Sequence, residues 1–369
     1  ASTSQHYIVL TAHFVDHDWK MNSKILSFYH MPPPHTGIEI AHRILSFLKE
    51  WGIEQKIFSI TLDNASAMDN MKDRLVNALR FTDGLLCDGE FFHVRCCAHI
   101  LNLVVQDGLK VASDALYKIR ESVKYVIGSE SRTMKFEECV KAAKLDVSVG
   151  LRLDMPVRWN STYLMLESAI MYRAAFDNLH VFYSNYKHAI SDEDWERCEK
   201  ICELLEPFYT ITKLFSGIHY PTSDLYFMNI WTIHCRILDN KFGSDPLLSD
   251  MATMMLEKFE KYWDDYSVVL SFGVVFDPRL KFEILEFCLK KINPDTVSIK
   301  VNRIKRKLTL LFDEYKSKAP QQTPSMQSSL SCVETSTTSQ RNRIGKDLLD
   351  VSIFTYLVIF IKLLVLVAT

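Results

Sequence analysis

Strand and helix signals alternate over the first 126 residues in an order that few architectures accept. Residues 7–15 (Tyr-Ile-Val-Leu-Thr-Ala-His-Phe-Val) are β-branched and aromatic and predict a strand. Asp16-His17-Asp18 reads as a turn, and residues 19–22 and 24–30 predict two more short strands in an antiparallel meander. Pro32-Pro33-Pro34 stops the meander. Thr36, with Glu39 three positions later, is a capping-box signature for a helix ending near Gly52. Its expected apolar face is Ile38, Ala41, Ile44, Leu45 and Leu48. A buried strand over 56–62, a helix over 65–81, a short strand over 91–96 and a long amphipathic helix over 98–126 follow. In that last helix Leu101, Val104, Val105, Leu109 and Val111 are core candidates.

Three antiparallel strands followed by α, β, α, β, α make an α/β chain with the element order of a ribonuclease H-like core on a mixed sheet. From residue 127 the texture turns helical, with 3.6-residue periodicity over 161–178, 192–214 and 249–266, and a further strand signal at 267–276. With 369 residues, 48% hydrophobic and 24% charged, the chain can bury several cores. A net charge of -2 does not advertise nucleic-acid binding, so any such binding must come from local cations. No secretory signal opens the sequence, and nine cysteines without a paired framework fit a reducing compartment.

Four groups of residues can carry chemistry. Asp63 stands at the tip of the 56–62 strand, where a carboxylate either ligates a metal or caps the following helix. Cys96 and His99 form a Cys-x-x-His at a strand-to-helix junction; structural zinc would need two more ligands, and no second pair stands at suitable spacing. Otherwise they are a buried cysteine and a histidine at a helix start. Arg158-Trp159 follows Asp154, with Asn160-Ser161-Thr162 able to cap the next helix; the tryptophan reads as an interfacial anchor of the helical stretch to the α/β core. Lys300, Arg303, Lys305, Arg306 and Lys307 form the densest basic run, but they do not share one helix face. Cys198 and Cys202, spaced i, i+4, read as core residues. No phosphate-cradling glycine loop and no nucleophile elbow occur.

The segments Thr61-Leu62-Asp63-Asn64-Ala65-Ser66, Arg95-Cys96-Cys97-Ala98-His99-Ile100-Leu101-Asn102 and Asp154-Met155-Pro156-Val157-Arg158-Trp159-Asn160, in this order, resemble the catalytic core of hAT-superfamily DNA transposases, specifically the plant domesticated Ricesleeper/Daysleeper type. Phe276-Asp277-Pro278-Arg279-Leu280-Lys281 resembles the family's later "DPR-K" pattern. The resemblance runs from the first residues to about Lys318. It implies a ribonuclease H-like core over 1–126 with its first strand truncated, a helical insertion over 127–270 and a return segment over 271–318. A disordered linker over 319–345 and an aberrant apolar tail over 346–369 complete the expected organisation.

The family chemistry is Mg²⁺-dependent strand transfer by three carboxylates. Asp63 corresponds to the second. The first, an aspartate expected before residue 7, and the last, a glutamate of the dimerisation domain, have no counterpart here. The resemblance further implies that Cys96 and His99 help position DNA, that Arg158 contacts phosphate and that Trp159 stacks on an extruded base. The expectation is a nuclear, DNA-binding, transposase-derived protein without catalytic activity and without a cofactor of its own; the homodimer of the family needs a domain not seen in the sequence. Two alternatives stand beside it. One is a fragment of an active transposase. The other is a membrane-tethered interaction module that uses the apolar run 351–369, which is just long enough to span a bilayer.

Overall fold

The computed structural model describes residues 5–63, 66–82, 84–155, 157–217, 223–318 and, for the backbone, 359–368. The described chain forms two compact units, residues 1–94 with 302–369 and residues 95–301.

The first unit is built on a five-stranded sheet. Its strands are β1 (Gln5–Val15), β2 (Met21–His30), β3 (Ile57–Leu62), β4 (His93–Arg95) and β5 (Ile359–Ala368), in the order β2-β1-β5-β3-β4. β1 pairs antiparallel with β2 and with β5, whereas β3 pairs parallel with β5. The expected three-strand meander is therefore corrected. Residues 19–22 and 24–30 are not two strands; Met21–His30 is one, and Ser23 sits in register with His13. The third antiparallel strand comes from the far end of the sequence. The turn at 16–20 is held by the Asp16 carboxylate, which accepts from the backbone N–H groups of Asp18 and Lys20 and from the Asn22 side chain.

Helix α1 (Gly37–Trp51) starts where the capping signature places it. Thr36 Oγ1 accepts from the Glu39 N–H at 3.3 Å, and Gly52 closes the helix in the left-handed region at φ 60°. The helix buries Ile40, Ala41, Ile44, Phe47 and Leu48; Ile38, expected on that face, is 49% exposed. Together with α2 (Ser66–Arg80) it covers one side of the sheet, and Ile8, Leu10, Ala12, Ile60 and Leu62 join Met71, Leu75 and Leu79 in one core.

The second unit is helical. α3 (Cys97–Val111), α4 (Ser113–Ile127), α5 (Glu130–Ala142), α6 (Trp159–Met171), α7 (Arg173–Phe182), α8 (Asp192–Phe215), α9 (Ser223–Lys241), α10 (Pro246–Phe276) and α11 (Lys281–Ile292) follow one another. The long helix expected over 98–126 is two helices, broken at Ala112. Residues 267–276, read as a strand, are the end of α10, because a short apolar run looks the same in a buried helix and a buried strand. α8 opens with a reciprocal Ser191–Asp194 capping box, and α10 with Asp245 as cap and Pro246 behind it. Trp195, Ile201, Leu205, Phe208, Phe227, Ile233 and Met255 are almost wholly buried in this unit.

α12 (Val297–Lys318) carries the chain back, and from Asn302 it belongs to the first unit. Its Lys307 pairs with Glu90. The expected linker over 319–345 lies outside the described residues, as do most of the expected tail residues. The remainder, Ile359–Ala368, forms β5 in the sheet, which leaves the membrane-tethered alternative for 351–369 without support. Among the described residues no helix is long and apolar enough to cross a membrane.

Candidate functional site

β3 (Ile-Phe-Ser-Ile-Thr-Leu) is buried along its length except for half-buried Thr61, as a strand flanked by neighbours on both edges should be. On one edge the Ile60 N–H donates to the Phe92 carbonyl at 2.6 Å. On the other edge Ile60 is in register with Ile361 and Thr61 with Lys362 of β5. Half-buried Asp63 follows directly, at the strand-to-helix junction ahead of α2. This is the position expected of a strand-tip carboxylate.

The donors around it do not fit a pair of Mg²⁺ ions. The neighbouring strand, Ile-Phe-Ile-Lys-Leu-Leu-Val-Leu-Val-Ala, contains no acidic residue in its sequence. Among the described residues no three His, Cys, Asp or Glu side chains gather into a metal-holding group. Two-metal phosphoryl transfer needs several converging carboxylates, so no catalytic step is derived through Asp63.

The first unit also carries a groove of about 600 Å³ between α2 and the segment leading into β4. Lys72, Asp73, Asn77, Arg80, Glu90 and His93 are among its lining residues. Its charges are internally matched: Lys72 pairs with Asp73 at 3.1 Å, Arg80 with Asp88 at 2.8 Å, and Glu90 with Lys307. Spacing does not reveal this groove, because its residues come from separate segments.

The other expected site residues belong to the second unit. Cys96 is the N-cap of α3, with extended backbone at φ -67° and ψ 113° and no side-chain capping bond. His99 lies in the first turn of that helix, and both residues are half-buried. Cys97, between them, has its thiol pushed well up by burial and lies against the Tyr226 hydroxyl, which burial also raises. Its sulfur thus belongs to the α3–α9 packing. Nearby, the Arg95 guanidinium lies 5.8 Å above the Tyr262 ring.

The segment before α6 is held by a buried polar network. Asp154 is buried, and Arg120 from α4 grips it with two hydrogen bonds, Nε to Oδ1 at 2.9 Å and Nη2 to Oδ2 at 2.7 Å. Thr162 Oγ1 adds a third bond at 3.0 Å. Burial pushes the Asp154 carboxyl up, but the Arg120 bonds and charge outweigh it and hold the group below the usual range. Ser161 Oγ accepts from the Met155 N–H at 2.7 Å and donates to the Arg158 carbonyl at 2.6 Å. With both ends tied, the loop presents Met155, Val157 and Arg158 outward; Val157 is 75% exposed.

Trp159 is the first residue of α6 and only 2% exposed, its ring edge-on to Phe208 with centroids 6.4 Å apart. Stacking on an extruded base needs an open indole face. In this structure the ring packs inside the helical unit, between α6 and α8, and Arg158 is the accessible member of the pair. Sequence reasoning did not find Arg120, which lies 34 positions from Asp154. Only a lone arginine in an amphipathic helix marks it.

Comparison with known proteins agrees with this architecture. Residues 1–91 match the family described as the ZBED1 RNase-like domain, residues 94–204 the ZBED1 RNase-like helical domain, and residues 224–315 the hAT-like transposase, RNase-H fold. The chain belongs to the hAT transposase family, in the branch that includes the Ricesleeper and Daysleeper proteins. It is 35% identical over 320 residues to a putative AC transposase of Zea mays, covering 86% of this chain and 40% of that protein. It is 37% identical over 287 residues to the zinc finger BED domain-containing protein RICESLEEPER 2 of Oryza sativa, covering 78% of this chain and 40% of that one. To DAYSLEEPER of Arabidopsis thaliana it is 31% identical over 323 residues, covering 86% and 46%. The chain thus spans less than half the length of these relatives.

Proposed function

We propose that this chain is a transposase-derived, nuclear DNA-binding protein that does not itself cut DNA. The observation that carries the reading is the clamped loop ahead of α6. Arg120 and Asp154 fix its backbone, so that exposed Arg158 is offered to a phosphate from an ordered loop. Cys96 and His99 flank the start of α3 in the same unit and are assigned the supporting role of positioning DNA. The inactivity rests on Asp63, around which no metal-holding group of acidic side chains gathers among the described residues.

A gel-shift titration with hairpin DNA at fixed salt tests the binding. Arg158→Ala is expected to weaken it by about tenfold, in line with the 1.5–3 kcal/mol of a charge-assisted bond. Unchanged affinity would remove Arg158 from the interface. The companion assay is nicking of supercoiled plasmid with Mg²⁺, where no product is expected and Asp63→Asn changes nothing. Cleavage that disappears in Asp63→Asn would overturn the inactivity.

A further inference from the structure

The β1–β2 hairpin has two apolar faces, and only one of them is used by the core. Ile8, Leu10 and Ala12 of β1 point into the core shared with α1 and α2. The alternate residues of β1 face the other way, where Val9 is in register with Phe28, Thr11 with Ile25 and Val15 with Met21. The Phe28 ring stacks on that of Tyr7, with centroids 5.0 Å apart. This second face is open along β2. Ile25 is 69% and Phe28 62% exposed, and Val15 and Met21 are exposed as well.

The face is also uncharged. β1 contains no Asp, Glu, Lys or Arg, and the one such residue of β2, Lys24, is in register with Ala12 on the core side. The adjoining sheet edge is not built for strand addition. The β1–β2 ladder slips between Leu10 and Thr11, which leaves Leu26 as an extra residue, and the Trp51 Nε1–H donates to the Leu26 carbonyl at 3.0 Å. A bulge and a capped carbonyl interrupt the row of backbone groups that an added strand would need.

An open apolar face of this kind marks an interaction surface, and its lack of charge indicates the partner. In a two-fold dimer each patch meets itself, so a charged patch would repel its own copy, whereas this one does not. Strand rise gives the face a length of about 30 Å, and two strands with their side chains a width of about 15 Å. Two copies packed face to face therefore bury on the order of 1,000 Å² in total, the lower limit for a specific interface. We propose that the β1–β2 face is a dimerisation surface whose occupant is the same face of a second copy of this chain. The two sheets pack as a sandwich with Ile25 and Phe28 interdigitated, and the small area makes the dimer a weak, micromolar one. The inference rests on the sheet and not on DNA binding, so each can fail without the other.

Sedimentation of the full chain at concentrations between roughly 1 and 100 µM is the test. The average mass is expected to climb from monomer towards dimer across that range. Ile25→Glu and Phe28→Glu change exposed positions, and each should weaken the dimer about a hundredfold by setting like charges against each other. Lys24→Glu, on the other side of the strand, should leave it unchanged. Ile25 lies in the middle of the face, so mixing Ile25→Glu with Ile25→Lys should restore a mixed dimer; a mixture that stays monomeric would refute self-pairing of this face. A monomer at every concentration of the unaltered chain would overturn the proposal and leave the face to a partner of another kind. A dimer that survives both glutamate substitutions would overturn it too, because association would then use another surface. Should one glutamate variant not fold, the other and the dilution series decide.

Discussion

Two buried titratable residues contribute to how this protein should respond to acid. His234 on α9 is 2% exposed, packed against Phe259 and Trp263 with ring centroids 4.8 and 6.0 Å away. Burial, helped by Lys300, pushes it down from 6.5 to about 4. The unfolded chain therefore takes up this proton first, and stability is full above pH 6.5 and falls as pH drops towards 4. His234→Phe is expected to remove about 3 kcal/mol of that pH dependence, read as a flatter Tm profile across the window. Asp154 behaves in the usual carboxylate sense. Its folded value lies below 3.8, so its contribution is present above pH 3.8 and is lost as pH falls through that lower value. Arg120→Ala, which leaves Asp154 buried without its cation, should cost about 3 kcal/mol in urea unfolding. Trp159→Ala should cost about 3 kcal/mol or more through the cavity it leaves, whereas exposed Arg158→Ala should stay within about 0.5 kcal/mol. Measured side by side, the two substitutions separate anchoring from DNA contact.

At the scale of elements, α9 and α10 approach each other closely at Gly273. A methyl group there would run into the backbone of Ser223, which cannot rotate away as a side chain would. Gly273→Ala should therefore destabilise by about 2 kcal/mol, while Gly150→Ala, with nothing within 4 Å of the new methyl, should stay within about 0.5 kcal/mol; chemical denaturation of both distinguishes them. Elements whose boundaries are written in local chemistry were legible beforehand. Thr36, Glu39 and Gly52 delimit α1 because caps satisfy orphan backbone groups within a few residues. The break between α3 and α4 was not legible. Ala112, at φ -89° and ψ 8°, carries no glycine or proline to mark it. The fusion of 19–22 with 24–30 into β2 was hidden too, because polar Ser23 interrupts the pattern, yet it stays in the ladder opposite His13.

For the molecule as a whole, a net charge of -2 means that the proposed DNA binding would draw on a few local cations and not on a general positive field. The salt dependence of binding should accordingly be shallow, and Arg158→Ala should reduce the slope of log K against log salt by about one. A titration of affinity between low and physiological salt checks this. An unchanged slope would mean that the phosphates are held elsewhere, with exposed Arg303 and Arg306 of α12 as the next residues to substitute.

The amino-acid order alone determined the α/β opening, the helical middle, the strand-tip place of Asp63 and membership of the hAT family. Each of these rests on periodicity, caps or contiguous motifs, which act over a few residues. Tertiary structure decided the rest. It buried Trp159 beside Phe208, tied Arg120 to Asp154, and drew Ile359–Ala368 into the middle of the sheet instead of leaving an apolar end that looked like a membrane span. Such pairings depend on which distant backbone edges and buried charges lack partners. That demand belongs to the folded neighbourhood, and no single segment contains it.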